Sequence, residues 1–273
     1  MPFSILFLFS DFLRFILQKV FRYRLDVINK NIAFCFPEKN KFERLKIAND
    51  FYKQFIDVTL ESIKGLTYDP EKLVQRYRLN NPEILDEDFA NDQSVIILSQ
   101  HYNNWEWGSI CFGLQNKHHI VGVVKKISNN YIDSYIAQKR SQNNVSVVYA
   151  DNTARYIKYH KPTKPEGLVM IADQYPYSKR HQIKTSFFGK EVSFHAGVSA
   201  IAKMSNYPIY SIDIHRIKRG YYQLKYVKLA DANNNLSTEK ITTMYASHLE
   251  ELIIQCPYSW LWSHKRFKDQ VSY

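Results

Sequence analysis

The stretch Ser94-Val95-Ile96-Ile97-Leu98, running into Ser99-Gln100-His101-Tyr102-Asn103-Asn104-Trp105-Glu106, decides how the rest of the chain is read. Ser94 to Leu98 reads as a buried strand, and Trp105 to Leu114 as a short helix with Asn103 or Asn104 as its N-cap. His101 then sits on the turn leaving a strand, and Glu106 in the first helical turn. On one straight helix, residues five apart point about 140° from each other, so only a bent backbone brings the two side chains together. A histidine with a carboxylate is the smallest unit that takes a proton from an alcohol and hands its oxygen to an acyl group. A helix N-terminus beside them offers free N–H groups to a developing oxyanion. The same residues fit a bland reading, in which His101 caps a turn and Glu106 stands where a helix favours acids.

The alternation continues outward from this stretch. Strand-like runs at Ile120 to Val124, Val145 to Tyr149, Leu168 to Ala172, Ile209 to Ile214 and Tyr221 to Val227 are mostly separated by helix-like segments at 105–115, 129–143, 196–205 and 237–254. A long helix at 42–64, with Phe51, Phe55, Val58 and Ser62 on one face, precedes them. The pattern predicts an α/β fold: a mixed, largely parallel sheet sandwiched by helices. No repeat, low-complexity stretch or long linker interrupts it, so 25–273 is expected to be a single domain.

At 273 residues and 45% apolar content the chain has material for a real core, which excludes disorder. Cys35, Cys111 and Cys256 are odd in number, far apart and without ligand spacing, which argues for reduced thiols and against a structural zinc. The net charge of +11 points to an anionic partner. With 20 Tyr and 17 Phe the chain suits a lipid interface better than nucleic acid, and it carries no RNA-binding aromatic box, helix-turn-helix signature or zinc finger.

Residues 3 to 21 are almost wholly apolar, but Asp11 and Arg14 interrupt them. Each would cost roughly 2.5–3.5 kcal/mol near a bilayer centre. On a helix, Ser4, Asp11, Arg14, Gln18 and Arg22 form one polar stripe, which suits an amphipathic helix (1–24) lying in the membrane interface, with Lys19, Arg22 and Arg24 meeting lipid phosphates. A core helix packed under the domain is the alternative. There is no basic n-region or small-residue cleavage site of a secretory signal.

In such folds ligands gather at the carboxyl ends of the strands, and here His101, Lys125 with Lys126, and Asp173 with Gln174 each follow a predicted strand. Asn129 begins the next helix, whose Asp133 and Arg140 share one face; they either line the same pocket or form a solvated surface. Asp173 precedes a polar loop, Tyr175 to Thr185, and then Ser186-Phe187-Phe188-Gly189, a short strand ending in a turn glycine. Asp173 either caps that loop or orients a basic group or a substrate hydroxyl. No Gly-x-Ser-x-Gly elbow, His-Glu-x-x-His motif or phosphate-binding glycine loop is present. A His and a carboxylate without a protein nucleophile favour direct transfer to an acceptor hydroxyl, with His101 as general base and Glu106 setting its tautomer and stabilising the imidazolium.

These blocks resemble the lysophospholipid acyltransferase superfamily and, within it, the late (lauroyl/myristoyl-type) acyltransferases of lipid A biosynthesis. Tyr23-Arg24, Asn31 and Phe36-Pro37-Glu38 are similar to the family's opening segment, and His101 to Trp107 to its His-x4-acid motif. Asn129, Asp133 and Arg140 resemble its second block, and Asp173-Gln174 with Phe187-Phe188-Gly189 and Gly197 its third. Trp260 to Lys268 resembles its C-terminal signature. The resemblance implies a glycerolipid acyltransferase-like fold, with His101 and Glu106 catalytic and Asn104, Asn129, Asp133, Arg140, Asp173 and Gln174 binding substrate; Lys125, at the same strand rim, is expected to bind substrate with them. It implies transfer of a fatty acyl chain from a thioester donor, usually acyl carrier protein (or coenzyme A), to a hydroxyl of an anionic membrane lipid such as a lipid A precursor, at the cytoplasmic face of the bacterial inner membrane. No cofactor, metal or nucleic-acid partner is implied. A lysophospholipid or amino-acid-containing lipid is the alternative acceptor; a basic binding protein without catalysis would leave the ordered blocks to chance. The chain departs from the family at Asn103, where glycine is usual, and at Lys125-Lys126, where an Arg-Pro pair is common.

Overall fold

A computed structural model describes residues 1–176, 178, 181–232 and 235–273. The chain opens with α1 (Phe3–Phe15), prolonged by a π-helical turn, then α2 (Leu25–Cys35), α3 (Lys41–Gly65), α4 (Pro70–Val74) and β1 (Tyr77–Leu79). Next come α5 (Asp86–Ala90), β2 (Val95–Ser99), α6 (Gly108–Gln115), β3 (His119–Val124), α7 (Asn130–Arg140), β4 (Val145–Tyr149), α8 (Thr153–Tyr159) and β5 (Glu166–Ile171). β6 (Gln182–Phe187), β7 (Lys190–His195), α9 (Ala196–Ser205), β8 (Ile209–Lys218), β9 (Tyr221–Ala230) and α10 (Thr238–Gln255) complete it.

The main sheet has the order β1-β9-β8-β2-β5-β3-β4. Its five strands from β8 to β4 are parallel; β9 turns back against β8, and β1 pairs parallel with β9. β2 lies at the centre, buried along its whole length, which is why its sequence is a continuous apolar run rather than an alternation. Ile96 and Leu98 face a core built with α2, α3, α9 and α10. Val95 and Ile97 face a second core around α6 and Trp107. Gly65 lets α3 approach that tryptophan, since a Cβ there would lie 2.8 Å from its indole nitrogen.

The register of β2 against β5 sets up the site. Ser99 pairs with Ile171, so residues two beyond each, His101 and Asp173, leave adjacent parallel strands side by side at the carboxyl rim. Beyond β5 the polar loop Tyr175 to Thr185 lies partly outside the described residues, and its end is already strand. β6 and β7 form a hairpin closed by Phe188 and Gly189, both at positive φ, as a two-residue hairpin turn requires.

α1 is amphipathic with its polar side turned inward. Ser10 donates to Asp57 at 2.5 Å, Asp11 pairs with Arg219 at 2.9 Å, and Gln18 bonds Asn49 of α3. Asp57 is fully buried but is met by both Arg216 and Arg219 at 2.6 Å, the pairing a buried charge needs. The outward side carries Ile5, Leu8, Phe9, Phe12, Phe15, Val20 and Phe21, all exposed, with Lys19, Arg22 and Arg24 exposed beside them. Among the described residues no helix is long and apolar enough to cross a membrane.

Candidate active site

The turn after β2 is held from three sides. Tyr102 forms an isolated antiparallel bridge with Trp260, Asn103 N–H donates to the Ser259 carbonyl at 2.9 Å, and Leu261 N–H donates to the His101 carbonyl at 3.0 Å. The segment after α10 is thus a brace for the His101 turn. Asn103 has φ +53°, a left-handed conformation that glycine adopts freely and asparagine better than most residues. Its amide accepts from Gln54 and donates to the Ile214 carbonyl, so the departure from glycine is structurally supported. Asn104 caps the 3-10 turn Trp105–Trp107 that leads into α6, accepting from Trp107 N–H at 3.2 Å.

His101 points its Nδ1 at Asp173 Oδ1, 2.6 Å away, and its backbone N–H donates to Oδ2 at 3.0 Å. The Trp260 indole N–H donates to the same Oδ2 at 2.7 Å. Asp173 is 2% exposed, so three donors satisfy a carboxylate that water barely reaches. Burial draws its pKa upward, but the His101 charge and the hydrogen bonds from His101 and Trp260 outweigh this and hold it below the ordinary value. Burial opposes protonation of His101, yet the charge and hydrogen bond of Asp173, with the charge of Glu106, raise its pKa above the ordinary value. Gln174 places its side-chain amide 3.2 Å from Nε2, the ring nitrogen left for a reacting group. Half-buried His264 is held near pKa 4, chiefly by desolvation, and is neutral at physiological pH.

The carboxylate expected to orient His101 was that of Glu106; the one that meets Nδ1 belongs to Asp173. Glu106 bends away, bonding Arg140 at 2.7 Å and the Trp105 indole at 3.1 Å, because the 3-10 turn that carries it aims toward α7. Asn104 also differs from its expected substrate contact: it is fully buried and donates to Glu61 at 2.8 Å. Asn129 caps α7, accepting from Tyr131 and Ile132 N–H groups. Asp133 accepts from Ile127 N–H and Tyr149 hydroxyl, and holds the β3–α7 loop rather than facing the pocket.

A cavity of about 570 Å³ opens beside His101. Its lining includes exposed Lys125 and half-buried Glu106, Arg140 and Gln174 on the one hand, and buried Phe112, Ile120 and Val145 on the other. His101 and its neighbours therefore meet a cavity whose lining is part apolar and part cationic, which suits a long apolar chain attached to a polar or anionic head. Sequence reasoning did not assign a role to Trp260 or Gly122, both part of this arrangement. Only the tertiary contact across 87 positions joins Trp260 to Asp173. Among the described residues no group of His, Cys, Asp and Glu side chains could hold a metal ion.

Comparison with known proteins places these features in context. The family model described as bacterial lipid A biosynthesis acyltransferase matches residues 1–269. The chain is 23% identical to a lipid A biosynthesis lauroyltransferase of Escherichia coli strain K12, over 90% of this chain and 80% of that protein. It is 19% identical to a lipid A biosynthesis palmitoleoyltransferase of the same strain, and to a lipid A biosynthesis acyltransferase of Shigella flexneri, over 90% of this chain and 79% of each.

Proposed function

This chain belongs to the bacterial lipid A biosynthesis acyltransferase family, and from that premise we propose that it is a membrane-associated O-acyltransferase. It moves a fatty acyl chain from an acyl carrier protein thioester to a hydroxyl of a lipid A precursor at the cytoplasmic face of the bacterial inner membrane. The observation that carries this reading is the His101–Asp173 pair beside an apolar cavity.

The acceptor hydroxyl displaces the Gln174 amide from His101 Nε2 and gives up its proton there while its oxygen attacks the thioester carbonyl. Asp173 fixes the Nδ1–H tautomer and stabilises the imidazolium that forms. The tetrahedral oxyanion is met by Lys125, Arg140 and the N–H groups that open the helix after the His101 turn. As the carbon–sulfur bond breaks, the imidazolium returns its proton to the leaving thiolate. Glu106, paired with Arg140, sets the position of that guanidinium in the cavity. The outward apolar face of α1, with Lys19, Arg22 and Arg24, supports seating in an anionic membrane interface. A basic surface of net charge +11 also suits an acidic carrier protein and a phosphorylated lipid.

Lipid profiles of a strain lacking this gene test the acceptor. Loss of a single acyl chain from lipid A, restored by the wild-type gene and not by the His101→Ala variant, is the expected result. A loss confined to phospholipids or amino-acid-containing lipids would overturn the lipid A assignment in favour of the alternative acceptor.

A further inference from the structure

The turn that carries His101 continues into two buried side chains, Asn103 and Asn104, and both are taken by α3. Gln54, Asp57 and Glu61 share one face of that helix, at the spacing that aligns side chains; Glu61 meets Asn104, and Gln54 meets Asn103. The two amides of the second pair would each fit in shape if rotated by 180°, with donor and acceptor exchanged. Their direction is set by the groups at the ends of the chain. Arg216 Nη1 donates to Gln54 Oε1 at 2.9 Å, and a guanidinium can only donate. Gln54 therefore turns its NH2 toward Asn103, Asn103 accepts with Oδ1, and its own NH2 is left for the Ile214 carbonyl, which can only accept. The chain of bonds starts and ends on β8, at residues two apart on one side of the strand.

We propose that Arg216 is a positioning residue of the transfer reaction, which fixes the turn beneath His101 by setting the direction of the Gln54 and Asn103 amides; this rests on the reading of His101 as the base. Without Arg216 nothing holds the Gln54 oxygen away from Asn103. A rotated amide sets two acceptors face to face, at the residue that already holds φ +53°. Asp173 grips the His101 ring and backbone N–H from the other side, so a turn that gives way at Asn103 shifts the imidazole against its partner and the bound substrate. A shift of about 1 Å at a reacting group costs about a hundredfold in rate. The fold does not depend on Arg216 for charge balance, because Asp57 keeps Arg219 at 2.6 and 2.8 Å and Ser10 at 2.5 Å.

The test is a double-mutant cycle of Arg216→Met and Gln54→Met, read as kcat and KM for acyl transfer and as hydrogen exchange of the Asn103 and Leu261 amides, which donate to the Ser259 and His101 carbonyls. Each single variant is expected to lower kcat about ten- to a hundredfold with KM within about twofold. Exchange at both amides should speed up about tenfold, the factor for one buried hydrogen bond lost. The double variant should be no worse than either single one, because the two residues act through one chain of bonds. If Arg216→Met does not fold, the same cycle in an Asp57→Asn background, which removes the charge that Arg216 helps to balance, decides. Losses in kcat that add in the double variant, a raised KM with kcat kept, or amide protection unchanged in Arg216→Met overturns the proposal while acyl transfer stands. A wild type that transfers no acyl group overturns the reading of His101 and the role of Arg216 with it.

Discussion

Replacing Asp173 with asparagine should disable the enzyme far more than replacing Glu106 with glutamine, although Glu106 is the acid in the His-x4-acid spacing. In Asp173→Asn the shape is kept but the charge is lost, and the new amide offers an N–H to Nδ1, which places the imidazole proton on Nε2 where a base needs a lone pair. Loss of a charge-assisted hydrogen bond costs about 1.5–3 kcal/mol. Loss of a counter-charge about 4 Å from the imidazolium costs up to about 4 kcal/mol at an effective dielectric near 20. Allowing for overlap between the two, about 4–6 kcal/mol corresponds to a fall in kcat on the order of 10³–10⁴-fold. Glu106 and Arg140 are 34% and 23% exposed, and a pair of that exposure is worth about 1 kcal/mol, so Glu106→Gln should cost about tenfold or less. Steady-state transfer of labelled acyl groups, with melting temperatures recorded for each variant, provides the comparison. The pH profile adds an independent readout. Catalysis needs neutral His101, so the acid limb of kcat/KM should lie above the ordinary histidine value of about 6.5 and move to lower pH in Asp173→Asn, where burial is no longer opposed by Asp173. A folded Asp173→Asn with near wild-type kcat, or a Glu106→Gln loss exceeding it, would refute the assignment of roles.

The remaining predictions follow from the surroundings of the site. Asn103→Ala should lose about 2–4 kcal/mol, from the left-handed backbone and from the lost bonds to the Ile214 carbonyl and to Gln54, which keeps only a 3.5 Å contact with Ser259, and Asn103→Gly should lose about 1 kcal/mol less; chemical denaturation measures both. Glu61 is buried with its pKa raised to about 7, by desolvation against the opposing bonds of Tyr222 and Asn104. A carboxylic acid held above its unfolded pKa contributes stability at low pH and loses it as pH rises through the folded value. The melting temperature of Glu61→Gln relative to wild type should therefore climb between about pH 4.5 and 7, and a pH-independent difference would contradict this. Phe12→Ser with Phe15→Ser should weaken binding to anionic vesicles by about 30–100-fold, at roughly 1 kcal/mol or more for each half-buried ring, measured by sedimentation; unchanged binding would remove α1 from the membrane contact.

What the chain disclosed of itself follows from how local each signal is. The five parallel strands and their connecting helices were legible because buried parallel strands are unbroken apolar runs and their crossover helices are periodic. The strand at Tyr77–Leu79 and the helix at Thr153–Tyr159 are too short for any period to register. The amphipathic pattern of α1 was readable, but which side faced the protein was not. That depended on Asp57 and Arg219, which take Ser10 and Asp11 inward from 47 and 208 positions away, and on Arg216, which pairs with Asp57. Asp173 was legible as a group that orients a base, and Glu106 was expected to do the same for His101. Choosing between them required the register of β2 against β5 and the direction of a 3-10 turn, neither of which sequence spacing encodes. Asn103 stood out as a departure from glycine, and its φ of +53° gives the reason asparagine serves there.

The most direct test of the central claim is mass spectrometry of lipid products after purified protein is incubated with an acyl carrier protein thioester and an under-acylated lipid A precursor. A mass gain of a single acyl chain with the wild type, absent with His101→Ala of unchanged fold, is the predicted result. An equal gain with both proteins, or no gain with the wild type while a lysophospholipid is acylated, would contradict it.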